Sequence, residues 1–439
     1  MTDSANIREL VLGILMEVTE KGNYSHLVIR SVLEKYQYLE KRDRAFLTRL
    51  AEGTIQRMVE IDYILDQFSK VKTTKMKPVI RNILRMSVYQ LKYMDSVPAA
   101  AACNEAVKLA RKKGFSTLSG FVNGVLRSIA RNLDQIKYPD ESKNEVLYLS
   151  VKYSMPEWIV TQWLRDYGKE RTVEILQAFL TEAPITIRTN LLKTTPEKLQ
   201  EILRDEGVTA KPLDTEEYPG LSYAFVLEDF DHLGALSSFR EGLFYVQDLS
   251  SMMTAELAAP EKGDTVIDVC AAPGGKSIHL AEKLEGTGCV DARDLTEYKV
   301  ELIEENINRC GCTNVTAKVW DATAFDTSSV EKADILIADL PCSGLGVMRK
   351  KTDIKYKMTL EGEKNLVQLQ RQILDTASSY VKHGGRMIYS TCTIDRMENE
   401  ENVTYFLEQH PEYELEEMHQ IFPKETLGDG FFLARLRRN

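Results

Sequence analysis

Five short apolar runs, spaced by stretches of helical periodicity, constrain the second half of this chain more than any other feature. The runs are TVIDVC (265–270), GCVDARD (288–294), TAKVW (316–320), DILIAD (334–339) and RMIYST (386–391). Helical patterns at 276–284, 297–309 and 361–382 separate them. This is the βαβ rhythm of a Rossmann-like, doubly wound α/β domain with a mostly parallel sheet, expected over 241–439. Ligands of such sheets bind outside the carboxyl ends of the strands. The residues that follow each run are therefore where chemistry is to be sought.

The front of the chain reads differently. Ile7, Leu10, Val11, Ile14, Leu15 and Val18 recur at helical spacing, and KGNYS then breaks the pattern. Similar patterns follow around 28–37, 43–58, 60–69, 78–93, 98–112 and 117–132, with no strand-like alternation. Residues 1–140 are expected to form an all-α bundle. The polar link YPDESKNE (138–145) leads to two more helices between 151 and 180. A β-rich run at 185–190, a helix at 194–207 and strand-like pieces around 222–227 and 243–246 make a small α/β (RRM-like) unit. Residues 141–240 thus read as a helical linker plus a small α/β RNA-binding subdomain.

Charge is uneven along this organisation. Residues 1–140 hold 23 Lys+Arg against 15 Asp+Glu, whereas the remainder holds 33 against 51. A basic front on an acidic body suits an appended polyanion-binding domain, although a soluble Lys-rich bundle has the same signature. No run of about 18 apolar residues is present. The N-terminus shows no secretory pattern. Seven cysteines at scattered positions make no disulfide framework, so a cytoplasmic protein is expected.

The first strand of the α/β domain runs into DVCAAPGGKS (268–277), which opens a helix. In the turn Cys270-Ala271-Ala272-Pro273-Gly274-Gly275-Lys276, proline stiffens the chain and the glycines let backbone approach a ligand. Asp294 closes the second strand, placed to accept ribose hydroxyls, and Asp321 follows the third, where it could meet an adenine amino group. Neither G-x-G-x-x-G nor G-x-x-x-x-G-K-[ST] occurs, so a dinucleotide or a P-loop triphosphate is disfavoured. Acids at 268, 294 and 321 would repel phosphates. An adenosine compound without phosphates fits, and S-adenosyl-L-methionine is that compound.

Two cysteines stand at strand ends. Cys342 follows Asp339 by three residues, behind Pro341, and Cys392 sits between two threonines. Metal binding is disfavoured, because Cys310 and Cys312 form the only close pair and no histidine cluster joins them. A redox pair lacks the C-x-x-C spacing, and either cysteine taken alone reads as core packing.

Together DVCAAPGGK, DLPCSGLGVMRK and YSTCT resemble the RNA cytosine-5 methyltransferase family, whose pattern places Pro-Cys in one motif and Thr-Cys in the next. EGLFYVQDLSSM (241–252) and DGFFLARL (429–436) match it as well. KRDRAFLTRLAEGTIQR (41–57) and GFVNGVLR (120–127) resemble the NusB-type RNA-binding domain. That fusion is similar to the Sun, or RsmB (Fmu), branch, and the resemblance spans essentially the whole chain. It implies small-subunit (16S) ribosomal RNA as substrate, at the cytosine conventionally numbered 967, and 5-methylcytosine as product. Departures are Thr352 where Pro is common, Leu340 where Ala is common, and Trp320 before Asp321 where Gly is frequent.

The chemistry accounts for the residue types. C5 of cytosine is a poor nucleophile until a thiolate adds at C6. The resemblance assigns that addition to Cys392 and product release to Cys342. Asp339 is placed to donate a hydrogen bond at N3, if its apolar site keeps it protonated. Lys276 supplies a fixed cation that lowers the thiol pKa. The base must leave its stack to enter such a pocket. Arg188 and Asn190, the basic front, and Arg349, Lys350 and Lys351 are the expected RNA grips. The partner would be small-subunit RNA, free or in an early precursor particle, and the enzyme a monomer away from membranes. A tRNA cytosine-5 methyltransferase, or a non-catalytic RNA-binding or antitermination factor, are the alternatives.

Overall fold

In the computed structural model, which describes residues 6–214, 216, 218, 220–423 and 427–439, the chain forms two compact units. One runs to Leu180 and takes in Met348–Lys357; the other comprises Thr181–Val347 and Met358–Asn439.

The first unit is helical. Its longer helices are Ile7–Thr19, Ser25–Lys35, Lys41–Gln56, Met58–Phe68, Pro78–Tyr93, Ala99–Lys112, Ser119–Arg131, Glu145–Tyr153 and Glu157–Ala178, the last broken at Gly168. Asn6 caps the first by accepting from the Glu9 N–H, which satisfies one of the donors a helix start leaves open. The heptad-like stripe does what its spacing predicts: Val11, Ile14, Leu15 and Val18 are buried with Leu47, Ile61, Ile83 and Leu126. Charged side chains lie inside too, among them Glu60, Arg85, Asp353 and Lys355. Glu60 is 2% exposed and accepts hydrogen bonds from the hydroxyls of Tyr93 and Tyr138, with Lys92 Nζ at 3.3 Å. Buried carboxylates persist only with such company.

Met348–Lys357 packs into this unit through polar contacts as well as apolar ones. Lys355 Nζ donates to the carbonyls of Gln56 (2.8 Å) and Ser154 (2.6 Å), at the ends of two helices. Carbonyls at a helix C-terminus carry partial negative charge, so a lysine is well placed there. Burial nonetheless pulls the Lys355 ammonium down to about 7. Asp353 accepts from the Ser25 N–H (3.1 Å) and hydroxyl (2.5 Å). The Tyr356 hydroxyl donates to the Ile55 carbonyl at 2.9 Å.

The second unit holds two sheets. Strands β1 (Ile185–Thr189), β2 (Thr209–Pro212), β3 (Ala224–Glu228) and β4 (Phe244–Val246) form an antiparallel sheet in the order β2-β3-β1-β4. Helix Pro196–Asp205 buries Leu199 and Leu203 against Ile187, Phe225 and Phe244. This is the small ferredoxin-like domain. The large sheet contains β5 (Thr265–Asp268), β6 (Cys289–Asp294), β7 (Val315–Val319), β8 (Ala333–Asp339), β9 (Val381–Thr391), β10 (Tyr413–Ile421) and β11 (Phe431–Arg438). Its order is β10-β11-β9-β8-β5-β6-β7, with β9-β8-β5-β6-β7 parallel and β11 and β10 antiparallel at the edge. The chain winds outward from β5 to β7 and then returns through β8, so the topological switch lies between β5 and β8.

The expected boundaries at 140 and 240 do not coincide with the two units. Helices Glu145–Tyr153 and Glu157–Ala178 pack with the front bundle, whereas the ferredoxin-like sheet groups with the large sheet. The expected helix to 382 stops at Ser378, because Val381 already opens β9. No helix among the described residues is long and apolar enough to cross a membrane.

Candidate active site

The strand ends at the switch point bring most of the expected residues together. After β5 the chain turns at Gly274, whose φ of 98° suits glycine, and enters helix Gly275–Lys283. The Gly274 N–H returns to the Ala271 carbonyl at 2.7 Å, and the Ala271 N–H reaches the Arg293 carbonyl at 2.8 Å. The turn is thereby stitched to β6.

Asp294 takes part in the same stitching. Its carboxylate accepts from the Ala272 N–H (2.9 Å), the Leu295 N–H (2.8 Å) and Lys299 Nζ (2.8 Å). A carboxylate has about four lone-pair sites. Room remains for one further donor, so Asp294 is an anchor of the turn before it is a ligand contact. Lys299 was not foreseen; it lies one helical turn into Glu297–Cys310. Asp321 is exposed beyond β7, and Thr323 donates to it from N–H (2.9 Å) and hydroxyl (2.7 Å), holding the carboxyl below its usual range.

Asp268, at the end of β5, is 1% exposed. Burial pushes its carboxyl up to about 7, against a hydrogen bond from the Ser277 hydroxyl at 2.6 Å. The nearby Asp339 carboxylate pushes the same way.

Lys276 Nζ lies 2.5 Å from Asp339 Oδ2, and the Ser390 hydroxyl donates to Asp339 Oδ1 at 2.8 Å. Burial opposes the Lys276 charge, but the Asp339 carboxylate overcomes it and raises the ammonium above its ordinary value, with Asp268 and Cys392 adding. Asp339 accepts on both oxygens here. To donate to a base, as the sequence reading requires, it must first lose one of these partners. Phe431 places its ring 5.2 Å from Lys276 Nζ. Ser390 and Phe431 were missed as site residues, although both lie inside the quoted motifs YSTCT and DGFFLARL.

Cys342 and Cys392, fifty residues apart, come within 3.3 Å, sulfur to sulfur. Both are partly exposed, while Ser343, Thr391 and Thr393 around them are buried. Either sulfur could donate in this contact. The contact with Cys392 and then burial push the Cys342 thiol well up.

Two expected RNA grips are not available to RNA. Arg188 is fully buried: β1 is an inner strand, and the guanidinium is taken by Glu282 and by Gln247 Oε1 at 2.8 Å. Asn190 is equally buried, and its Nδ2 donates to the carbonyls of Gly242 and Cys310, each at 2.8 Å. Both residues brace the ferredoxin-like sheet against its neighbours. Arg349 is also buried, whereas Lys350 and Lys351 are exposed.

Comparison with known proteins agrees with this architecture. Residues 255–437 match the family described as 16S rRNA methyltransferase RsmB/F, residues 5–131 the NusB family, and residues 155–219 the RsmF/B-like ferredoxin-like domain. The probable ribosomal RNA small subunit methyltransferase B of Bacillus subtilis is 35% identical over 99% of each chain. The crystal structure of PH0851 covers 98% of both chains at 26% identity with a TM-score of 0.82. A methyltransferase homolog protein from Pyrococcus horikoshii covers 67% of this chain and 99% of its own at 26% identity, with a TM-score of 0.57.

Proposed function

Since the chain belongs to the RsmB/F family of 16S rRNA methyltransferases, we propose that it methylates C5 of a cytosine in small-subunit ribosomal RNA, through a covalent adduct between Cys392 and C6 that Cys342 helps to release. The observation that carries this reading is the 3.3 Å contact of two partly exposed thiols beside the Lys276–Asp339 pair. A structural cysteine pair would need no such neighbours.

The cofactor of this reading is S-adenosyl-L-methionine, which supplies an electrophilic methyl carbon on a sulfonium. The residues suit it. The glycine turn and the N-terminus of helix Gly275–Lys283 offer backbone, Asp294 has one acceptor position left, and the acids Asp294 and Asp321 favour a cation over a phosphate. Cys270, Ala271, Ala272 and Pro273 would form the wall of the turn, with Asp339 at its far side.

The protein residues then divide the work. Lys276, whose charge interacts with Cys392, stabilises the thiolate that adds at C6. Addition moves electron density toward N3 and C5; Asp339 meets it as a hydrogen-bond donor only in its protonated form, with one of its present donors displaced. C5 takes the methyl carbon, and the C5 proton must then leave as the bond from C6 to sulfur breaks. The Cys342 thiol is held protonated chiefly by its contact with Cys392. Once Cys392 is a thioether that influence is gone, and Cys342 becomes more acidic at the stage when a thiolate base is required.

Unmodified small-subunit RNA and tRNA, each incubated with labelled S-adenosylmethionine, test the proposal when the product base is identified. Label in 5-methylcytosine of the small-subunit RNA supports it. Label in tRNA alone, or in another base, overturns it.

A further inference from the structure

The two cysteine loops are tied together by buried groups that no step of this chemistry uses. Each cysteine is followed by a buried hydroxyl residue, and these meet: Ser343 Oγ and Thr393 Oγ1 are 2.8 Å apart. The Gly346 N–H donates to the Cys392 carbonyl at 3.0 Å. A Cβ at Gly346 would lie 2.0 Å from the Gly430 carbonyl oxygen and 2.8 Å from that of Cys392, so only glycine allows this approach. Beneath both loops lies Glu398, fully buried. Its carboxylate accepts the Ser343 N–H, at 3.3 Å on Oε1 and 3.0 Å on Oε2. Gln370 Nε2 donates to Glu398 Oε2 (2.7 Å) and to the Pro341 carbonyl (2.8 Å), so the residues on both sides of Cys342 are held through one carboxylate. Tyr389 completes the network, its hydroxyl donating to the Glu398 carbonyl.

We propose that Glu398 and Thr393 are positioning residues that set the separation of the Cys342 and Cys392 sulfurs: Glu398 by fixing the Cys342 loop from below, Thr393 by bridging it to the Cys392 loop. Both act through Ser343. Two donors from different elements, the Ser343 N–H and Gln370 Nε2, converge on Glu398 Oε2, and the Ser343 N–H also meets Oε1. A glutamine of the same shape would turn its amide NH2 toward one of them. The inference rests on the reading that both thiols act in turnover, but the separation itself can be measured without RNA.

Phenylarsine oxide is the probe. It binds a thiol pair by forming two As–S bonds while its oxygen leaves with the two thiol protons as water. The affinity lost in Cys342→Ala defines the share of the pair. Glu398→Gln and Thr393→Val, both close to isosteric, should lose about tenfold or more in arsenical affinity, the effect of leaving a buried donor unmet. The alkylation rate of Cys392, the melting temperature and cofactor affinity should stay near wild type. In turnover kcat should fall with KM little changed. If Glu398→Gln fails to fold, Thr393→Val decides alone, since it removes a single hydroxyl. Wild-type arsenical affinity in the folded variants overturns the proposal. Weakened arsenical binding without any RNA adduct in Cys342→Ala upholds the positioning role and instead refutes the catalytic reading above.

Discussion

Lys276 and Asp339 face each other at 2.5 Å across the switch point, one from the helix after β5 and the other from the end of β8. The ammonium is thereby fixed near Cys392, and the pair acts as one device rather than two. Lys276→Met should leave the cysteine without its cation. A thiol that loses a nearby positive charge titrates higher, so less thiolate is present at neutral pH. The rate of Cys392 alkylation near neutrality should fall by roughly tenfold, the equivalent of one pKa unit. A rate–pH profile in a Cys342→Ala background isolates Cys392; an unshifted profile would remove Lys276 from thiol activation.

Release should be separable from attack. In Cys342→Ala the adduct at C6 forms and methyl transfers, but elimination stalls, so a protein–RNA complex that survives denaturing electrophoresis accumulates. Cys392→Ala forms none, because C6 then meets no nucleophile, and the double variant forms none either. A purely structural Cys342 would instead lose roughly 1 kcal/mol of stability on truncation and trap nothing. Trapping by the Cys392 variant would reverse the two assignments.

Arg188 is expected to matter for stability and not for RNA. Arg188→Met leaves Glu282 buried without its guanidinium, which costs about 3–5 kcal/mol when one member of a buried pair is removed. Pairing it with Glu282→Leu should recover most of that loss in urea unfolding. RNA affinity of the folded single variant should equal that of wild type; a loss of RNA binding at full folding would restore Arg188 as a contact.

Asp268 gives the apo protein a pH dependence of known sign. Its carboxyl is pushed up from 3.8 to about 7, chiefly by burial, so the folded state holds a proton that the unfolded state has released. Stability is therefore complete below the lower value, falls as pH rises through the window, and is flat above it. Asp268→Asn, which cannot ionise, should gain on wild type as pH rises from about 4 to about 7 in thermal melts, and hold that gain above it. A melting difference that does not change with pH would contradict the buried, proton-bearing Asp268.

Local pattern carried much of this in the sequence. The strands ending at Asp268, Asp294, Asp339 and Thr391 are short apolar runs with turn residues after them, and such runs announce themselves. Lys276, Asp339, Cys342 and Cys392 could each be picked out as a residue, and the switch-point rule says that strand ends converge. What could not be read is which side chain meets which. Arg188 sits in ITIRTN like any exposed strand arginine, and its partner is 94 residues away. Glu398, in a polar DRMENEEN stretch, looks like a solvated helix start, yet it lies buried under Ser343. Burial of a polar residue is decided by tertiary partners, and short-range periodicity has no access to them. Strand β10, rich in Glu, was missed for the same reason: it is an edge strand paired only with β11.

The insertion of Met348–Lys357 into the helical unit has a consequence for biosynthesis. Domains emerging from a ribosome generally fold in order, each closing once its own residues are out. Here the first helices can assemble early, but the carbonyls of Gln56 and Ser154 wait for Lys355, and Ser25 waits for Asp353. The front unit reaches its final bonding only after the glycine turn, β5 to β8 and the Cys342 loop have been made. The order of synthesis thus couples completion of the front unit to the chain that carries one of the two thiols. A nascent chain halted before residue 348 would present an unfinished bundle.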